Sequence, residues 1–238
     1  MVRTAAVFFD VDFTLIHPGP RFQGVGYQAS CARHGIAVEA DRFEAAVAGA
    51  ASALDSPDHV HDPDLYVHYT RRIIELMGGS GPRVETVARE MYDEWAEHQH
   101  FSLYDDVPDA LRALAADGVR LGLISNGNRC LASFQSHFEL DGLISVTVSS
   151  SEHGFMKPHP NIFQAALALV DVPAAEAVMV GDSLRHDVLG AMRAGWRGVW
   201  LARGLREGDA VPDGIDVPVI RSLAELPALV RSGAIVDA

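Results

Sequence analysis

The chain has 238 residues, 48% hydrophobic and 21% charged, with a formal net charge of −13. This is ordinary for a soluble globular protein and long enough for one large domain, or for a core with an insert. The acidic excess argues against a nucleic-acid polymer or an anionic membrane surface as partner.

The first residues run almost at once into a strand pattern, with no basic n-region ahead of a long apolar stretch. No segment reaches the ~18 uninterrupted apolar residues of a membrane span. Cys31 and Cys130 form neither a CxxC pair nor a zinc spacing, and both fall in helix-like stretches. They are expected to be reduced core thiols of a cytoplasmic protein.

Residues 4–10 predict the first strand. Its apolar run Val7-Phe8-Phe9 leads straight into Asp10-Val11-Asp12-Phe13-Thr14. Two carboxylates at i and i+2 repel unless a cation lies between them or one holds a proton. A divalent metal and a nucleophile–acid pair are chemistries that use such crowding. A strand-end Asx turn, in which both acids only cap backbone amides, is the other reading.

From 22 to about 98 the periodicity is helical. Phe22 to His34 ends at Gly35. Phe43, Val47, Ala50 and Leu54 keep a helical spacing that Ser56-Pro57 breaks. Leu65, Tyr69, Ile73 and Leu76 continue it to Gly78-Gly79, and Val84, Val87, Met91 and Trp95 give a fourth helix. Without strand signals, this block predicts a helical bundle inserted after the first strand. Asp58, His59, His61, Asp62 and Asp64 read as a solvated loop between helices rather than a metal tract.

From 103 onward helices and strands alternate. The expected order is helix 109–116, strand 119–125, helix 129–137, strand 144–149, helix 162–170 opened by Pro160, strand 177–181, helix 185–194, strand 198–201, a loop over 203–216, strand 217–220 and helix 223–232. Such alternation predicts an α/β fold, a doubly wound parallel-sheet (Rossmann-like) core with helices on both faces. The core is expected over 1–16 and 102–238, and the helical insert over 17–101.

Carboxyl ends of strands in such a sheet converge on one crevice. Ser125-Asn126-Gly127 and Gly181-Asp182-Ser183 follow predicted strands, and Asp187 lies five residues beyond Asp182. Nineteen residues are basic and eighteen are Arg, which leaves Lys157, before Pro158, as the one lysine. A lone lysine suggests a place where a broad planar guanidinium does not fit; a chance survivor on the surface is the alternative. Ser125 and Asp182 each have a second reading as a helix cap.

Together, Asp10-Val11-Asp12-Phe13-Thr14, Ser125-Asn126, Lys157-Pro158 and Gly181-Asp182-Ser183 through Asp187-Val188-Leu189-Gly190-Ala191, with a trailing Ala194-Gly195, resemble the motifs of the haloacid dehalogenase superfamily, in order along the whole chain. The resemblance implies that the block at about 17–100 is the family's cap. It implies Asp10 as nucleophile, forming an aspartyl-phosphate, and Asp12 as general acid, then base. Mg²⁺ would be held by Asp10, the Asp12 carbonyl and Asp182, with Thr14 and Asp187 in support just outside. Ser125, Asn126 and Lys157 would contact the phosphoryl oxygens of a small phosphorylated metabolite. Phe13 stands where the family often has Gly; its ring either narrows the way in or packs in the turn.

Within the superfamily, dehalogenases usually lack the acid at the Asp12 position, because a halide leaves without a proton. Phosphonate cleavage generally needs a cap lysine, which is missing. A phosphomutase would use the same aspartates, and a non-catalytic binding module would have no need of them. Arg21, Phe22, Tyr27, Arg71 and Arg72 are candidate specificity residues of the cap. The chain is compatible with a monomer or a homodimer.

Overall fold

The computed structural model describes residues 2–54, 58–204 and 216–235. The chain forms two compact units, Met1–His17 with Leu103–Ala238, and Pro18–Ser102. In chain order, β1 (Ala6–Phe9) and a short β2 (Ile16–Pro18) precede α1 (Gly24–Arg33), α2 (Phe43–Ala50), α3 (Pro63–Leu76), α4 (Val84–Trp95) and β3 (Phe101–Leu103). Alternation follows: α5 (Val107–Ala116), β4 (Arg120–Ser125), α6 (Leu131–His137), β5 (Ile144–Ser149), α7 (Ser150–His153), α8 (Pro160–Val170) and β6 (Ala177–Gly181). The last elements are α9 (Leu189–Arg193), β7 (Arg197–Leu201), β8 (Val219–Ile220) and α10 (Leu226–Ser232).

Six strands of the first unit pair in parallel in the order β5-β4-β1-β6-β7-β8. The order reverses at β1, which has β4 on one side and β6 on the other. Crossovers therefore leave β1 in opposite directions, and a crevice opens at the carboxyl ends of these three strands. The expected doubly wound α/β sheet is what forms.

Chemistry explains the central position of β1. All four of its residues, Ala-Val-Phe-Phe, are buried, as a strand covered on both faces requires. The Phe8 ring lies 4.9 Å from Trp196, which meets Phe163 at 5.7 Å. Gly122 of β4 makes room: a Cβ there would lie 2.3 Å from the Phe8 ring. The layer that seats Phe8 thus also fixes the register of β1 against β4.

In the second unit, α3 and α4 bury Val67, Ile73 and Ile74 and Val84, Val87, Ala88 and Met91 along single faces. Asp62 accepts the Asp64 amide at 2.9 Å and caps α3, with Pro63 in its first turn. Phe22 packs on Trp95 and Phe101, with ring centroids 4.7 and 5.5 Å apart. Among the described residues no helix is long and apolar enough to cross a membrane.

Three expectations change. The helix expected over 185–194 opens instead with a wide π turn, Leu184–Val188, before α9. Cys130 is exposed ahead of α6, whereas Cys31 is a buried thiol as expected. β2 pairs with β3 in a small ribbon that no periodicity announced. The loop expected over 203–216 and the Ser56-Pro57 break fall largely outside the described residues.

Asp106 ties the C-terminal segment to the first unit. Arg203 donates to both of its oxygens at 2.9 Å, Ser222 Oγ donates at 2.6 Å and the Leu223 amide at 2.8 Å. Burial alone would raise the Asp106 pKa; these hydrogen bonds and the Arg203 charge hold it below the usual carboxylate value instead. A depressed pKa gives stability that is present above the unfolded value and lost as pH falls through the folded one. Asp106→Asn is therefore expected to cost roughly 1–3 kcal/mol at pH 7. Urea midpoints should show that deficit shrinking below about pH 4, where the wild-type carboxylate itself takes up a proton.

Candidate active site

Asp10 lies one residue past β1, where the sheet order reverses. Its amide donates to the Val180 carbonyl at 2.9 Å, so the ladder to β6 runs up to the acid. Its carboxylate accepts from Lys157 Nζ at 2.6 Å and is mostly buried. The charge thus meets an ammonium rather than capping a turn.

Lys157 is 2% exposed. Its ammonium donates to Asp10 Oδ1 at 2.6 Å and to the Ile124 carbonyl at 2.7 Å, and pairs with Asp187 Oδ1 at 2.7 Å. Three donors diverging from one nitrogen suit this arrangement, and a flat guanidinium fork does not. Burial alone would lower the Lys157 pKa, but Asp10 and Asp187 outweigh it and the group is held charged. The lysine backbone is fixed by Asn126, whose Nδ2 donates to the Lys157 carbonyl at 2.9 Å and whose Oδ1 accepts the Lys157 amide at 2.7 Å. Asn126 thereby links the end of β4 to the lysine loop.

A second acid pair follows β6. Oxygens of Asp10, Asp182 and Asp187 lie within 4.8 Å of one another. Asp187 reaches inward because residue 181 is glycine: a Cβ there would sit 2.2 Å from Asp187 Oδ2. That oxygen accepts the Ser183 amide at 3.0 Å within the π turn. The Asp182 amide donates to Thr14 Oγ1 at 3.1 Å, and its carbonyl accepts from Trp200 Nε1 at 2.9 Å. Ser183, not Asp182, caps the turn that follows, by accepting the His186 amide.

These acids repel. Desolvation, then the Asp10 and Asp187 charges, push the Asp182 pKa up to about 8. Asp187 is pushed to about 6, chiefly by desolvation and against the pull of Lys157. Proton affinity this far above the ordinary carboxylate value marks a shortage of positive charge. The three carboxylates could together hold a metal ion, for which hard oxygen donors suit a hard divalent cation.

Asp12 lies two residues beyond Asp10 and is 20% exposed at its side chain, where Oδ1 accepts Arg129 Nη2 at 3.1 Å. Phe13 has φ +64 and is 44% exposed. Ser125 ends β4 and is 2% exposed. It is not a helix cap, since α6 begins only at Leu131 with Cys130 before it.

Arg129 escaped the sequence reading. A basic residue four positions after Ser125 gives no sign that it will be buried beside Asp12. Among the candidate specificity residues of the second unit, Phe22 and Tyr27 are buried there as core, and Arg21 pairs with Glu94. Arg71 and Arg72 both reach Glu75.

The haloacid dehalogenase-like hydrolase profile matches residues 4–195. A phosphoserine phosphatase of Thermus thermophilus is 35% identical over 152 residues, 60% of this chain and 57% of that protein. A glyceraldehyde 3-phosphate phosphatase of Pyrococcus furiosus is 28% identical over 211 residues, 86% of this chain and 83% of that one. Among solved structures, a 2-haloacid dehalogenase from Pseudomonas syringae aligns with TM-score 0.63 at 25% identity, over 98% of this chain and 100% of that one. The match spans about half the length of two curated relatives: 57% of the Thermus protein and 45% of a glyceraldehyde 3-phosphate phosphatase of Pyrococcus abyssi, which is 37% identical over 109 residues, 44% of this chain. Because the family profile runs through every strand-end motif that builds the crevice, the chain belongs to the haloacid dehalogenase-like hydrolases.

Proposed function

We propose that this protein is a Mg²⁺-dependent phosphatase acting on a small phosphomonoester. Asp10 is the nucleophile: its oxygen attacks phosphorus, the ester P–O bond breaks, and the phosphoryl group rests on Asp10. Asp12 gives a proton to the leaving oxygen, then takes one from the water that hydrolyses the aspartyl-phosphate. Ser125, Asn126 and Lys157 hold the phosphoryl oxygens. Asp10, the Asp12 carbonyl and Asp182 are the residues to hold Mg²⁺, with Thr14 and Asp187 bracing them. When bound, the cation neutralises the crowded oxygens and orients the phosphoryl group. Lys157 together with a bound cation would offset the acids and let an anionic substrate approach a chain whose net charge is −13.

The observation that carries this reading is the Asp10 carboxylate held 2.6 Å from a buried lysine, with Asp12 two residues on. An alkoxide leaving group needs a proton and a halide does not, so Asp12 favours phosphate esters over 2-haloacids despite the structural likeness to a dehalogenase. The names of the Thermus and Pyrococcus relatives point the same way. The helical insert, expected over 17–101, is the proposed cap. A mutase would use the same carboxylates and would return an isomerised phosphate rather than free phosphate.

With p-nitrophenyl phosphate and Mg²⁺, wild type is expected to release nitrophenol, and Asp10→Asn to lose roughly a thousandfold or more in kcat. Equal rates in the two proteins would remove Asp10 from the chemistry. In thermal unfolding, Mg²⁺ at ~100-fold its Kd is expected to stabilise the wild type by about 2.7 kcal/mol. Asp182→Asn should abolish most of that gain; an undiminished Mg²⁺ shift in this variant would place the cation elsewhere.

A further inference from the structure

Arg129 is used by neither the fold nor the catalytic roles assigned above. Its side chain is 1% exposed, and Nη2 donates to Asp12 Oδ1 at 3.1 Å. Burying a guanidinium costs several kcal/mol, and a buried ion pair is weak evidence for stability. An apolar side chain would fill the same space more cheaply. What the guanidinium adds is a directed donor on one oxygen of Asp12.

The loop that carries Arg129 is braced at its start. Asn126 exchanges two hydrogen bonds with the Lys157 backbone, at 2.9 and 2.7 Å. The Gly127 amide donates to Ser150 Oγ at 3.0 Å, and its carbonyl accepts from Ser149 Oγ at 2.8 Å. Arg129 follows two residues after this braced turn. Asp12 lies three residues past β1 and precedes Phe13, whose φ of +64 turns the chain sharply. The ion pair with Arg129 is a contact that directs the Asp12 carboxylate.

We infer that Arg129 is a positioning residue for the acid–base step: it holds the Asp12 carboxylate where a leaving oxygen of a phosphomonoester arrives. One loop, 125–129, would then supply both the phosphoryl-binding Ser125 and the guide for the proton donor. This rests on the phosphatase reading above. It predicts a signature that a purely structural arginine lacks: dependence on the leaving group. Nitrophenolate leaves without a proton, while an alkoxide cannot, so misplacing Asp12 penalises alkyl esters selectively.

The test compares wild type, Arg129→Met, Asp12→Asn and the double variant on p-nitrophenyl phosphate and β-glycerol phosphate, with Mg²⁺. The readout is kcat/KM, which covers every step through departure of the leaving group. Arg129→Met is expected to lose about 10–100-fold on glycerol phosphate and less than about threefold on the aryl ester, since general acid catalysis contributes on that scale. In the Asp12→Asn background the same change should cost nothing further, because the two act as a unit. Arg129→Lys should recover part of the loss; if Arg129→Met does not fold, Arg129→Lys against wild type reads the same selectivity on a smaller scale. Equal losses on both esters, or a full loss persisting beside Asp12→Asn, overturns the role of Arg129. A wild type that turns over neither ester overturns the phosphatase reading, and with it this inference.

Discussion

The site depends on one ammonium group. Lys157 stands between Asp10 and Asp187, at 2.6 and 2.7 Å, in a place almost sealed from water. A carboxylate cannot remain ionised in such surroundings without a compensating charge, and here Asp182 shares the same few ångströms. Three carboxylates meet one ammonium here, so one lysine does not fully balance the cluster. That imbalance gives the site an appetite for a divalent cation, and it makes the lysine irreplaceable by the arginine found at every other basic position of the chain.

The scaffold serves this arrangement from several directions. Parallel pairing of β4, β1 and β6 ends three strands at one level. Gly181 admits the Asp187 carboxylate, and Asn126 locks the Lys157 backbone to the end of β4. Thr14 is held twice. Its hydroxyl accepts the Asp182 amide, and its carbonyl accepts Arg203 Nη2 at 2.9 Å. Arg203 lies over the Tyr104 ring at 3.9 Å while gripping Asp106 with both arms. The loop after β1 is therefore braced against the segment after β7 by a planar cation in contact with an aromatic face and a carboxylate.

Much of this was legible in the sequence because the signals are local. Strand ends carrying Asp10, Ser125 and Asp182 announced the crevice, and strands 144–149 and 177–181 have the predicted bounds. The lone lysine identified a position whose surroundings reject a guanidinium. What was hidden is tertiary. The π turn at 184–188 follows from Asp187 folding back to the Ser183 amide, and a helical period cannot reveal that. Cys130 carries the spacing of a helix residue but falls just outside α6. Arg129 looked like any surface arginine, since only the folded loop shows that it ends beside Asp12. Phe22 and Tyr27 looked like pocket residues because an aromatic in a helical block reads alike whether it lines a cavity or fills a core.

The most direct test of the account is a stability cycle on Lys157 and Asp187, by urea unfolding in EDTA at pH 8. Removing one partner of a buried pair leaves the other uncompensated, so Lys157→Met is predicted to cost about 3–5 kcal/mol. Adding Asp187→Asn removes one stranded charge and should return a large share of that loss. The same loss with and without Asp187→Asn would contradict the claim that Lys157 exists to balance these carboxylates.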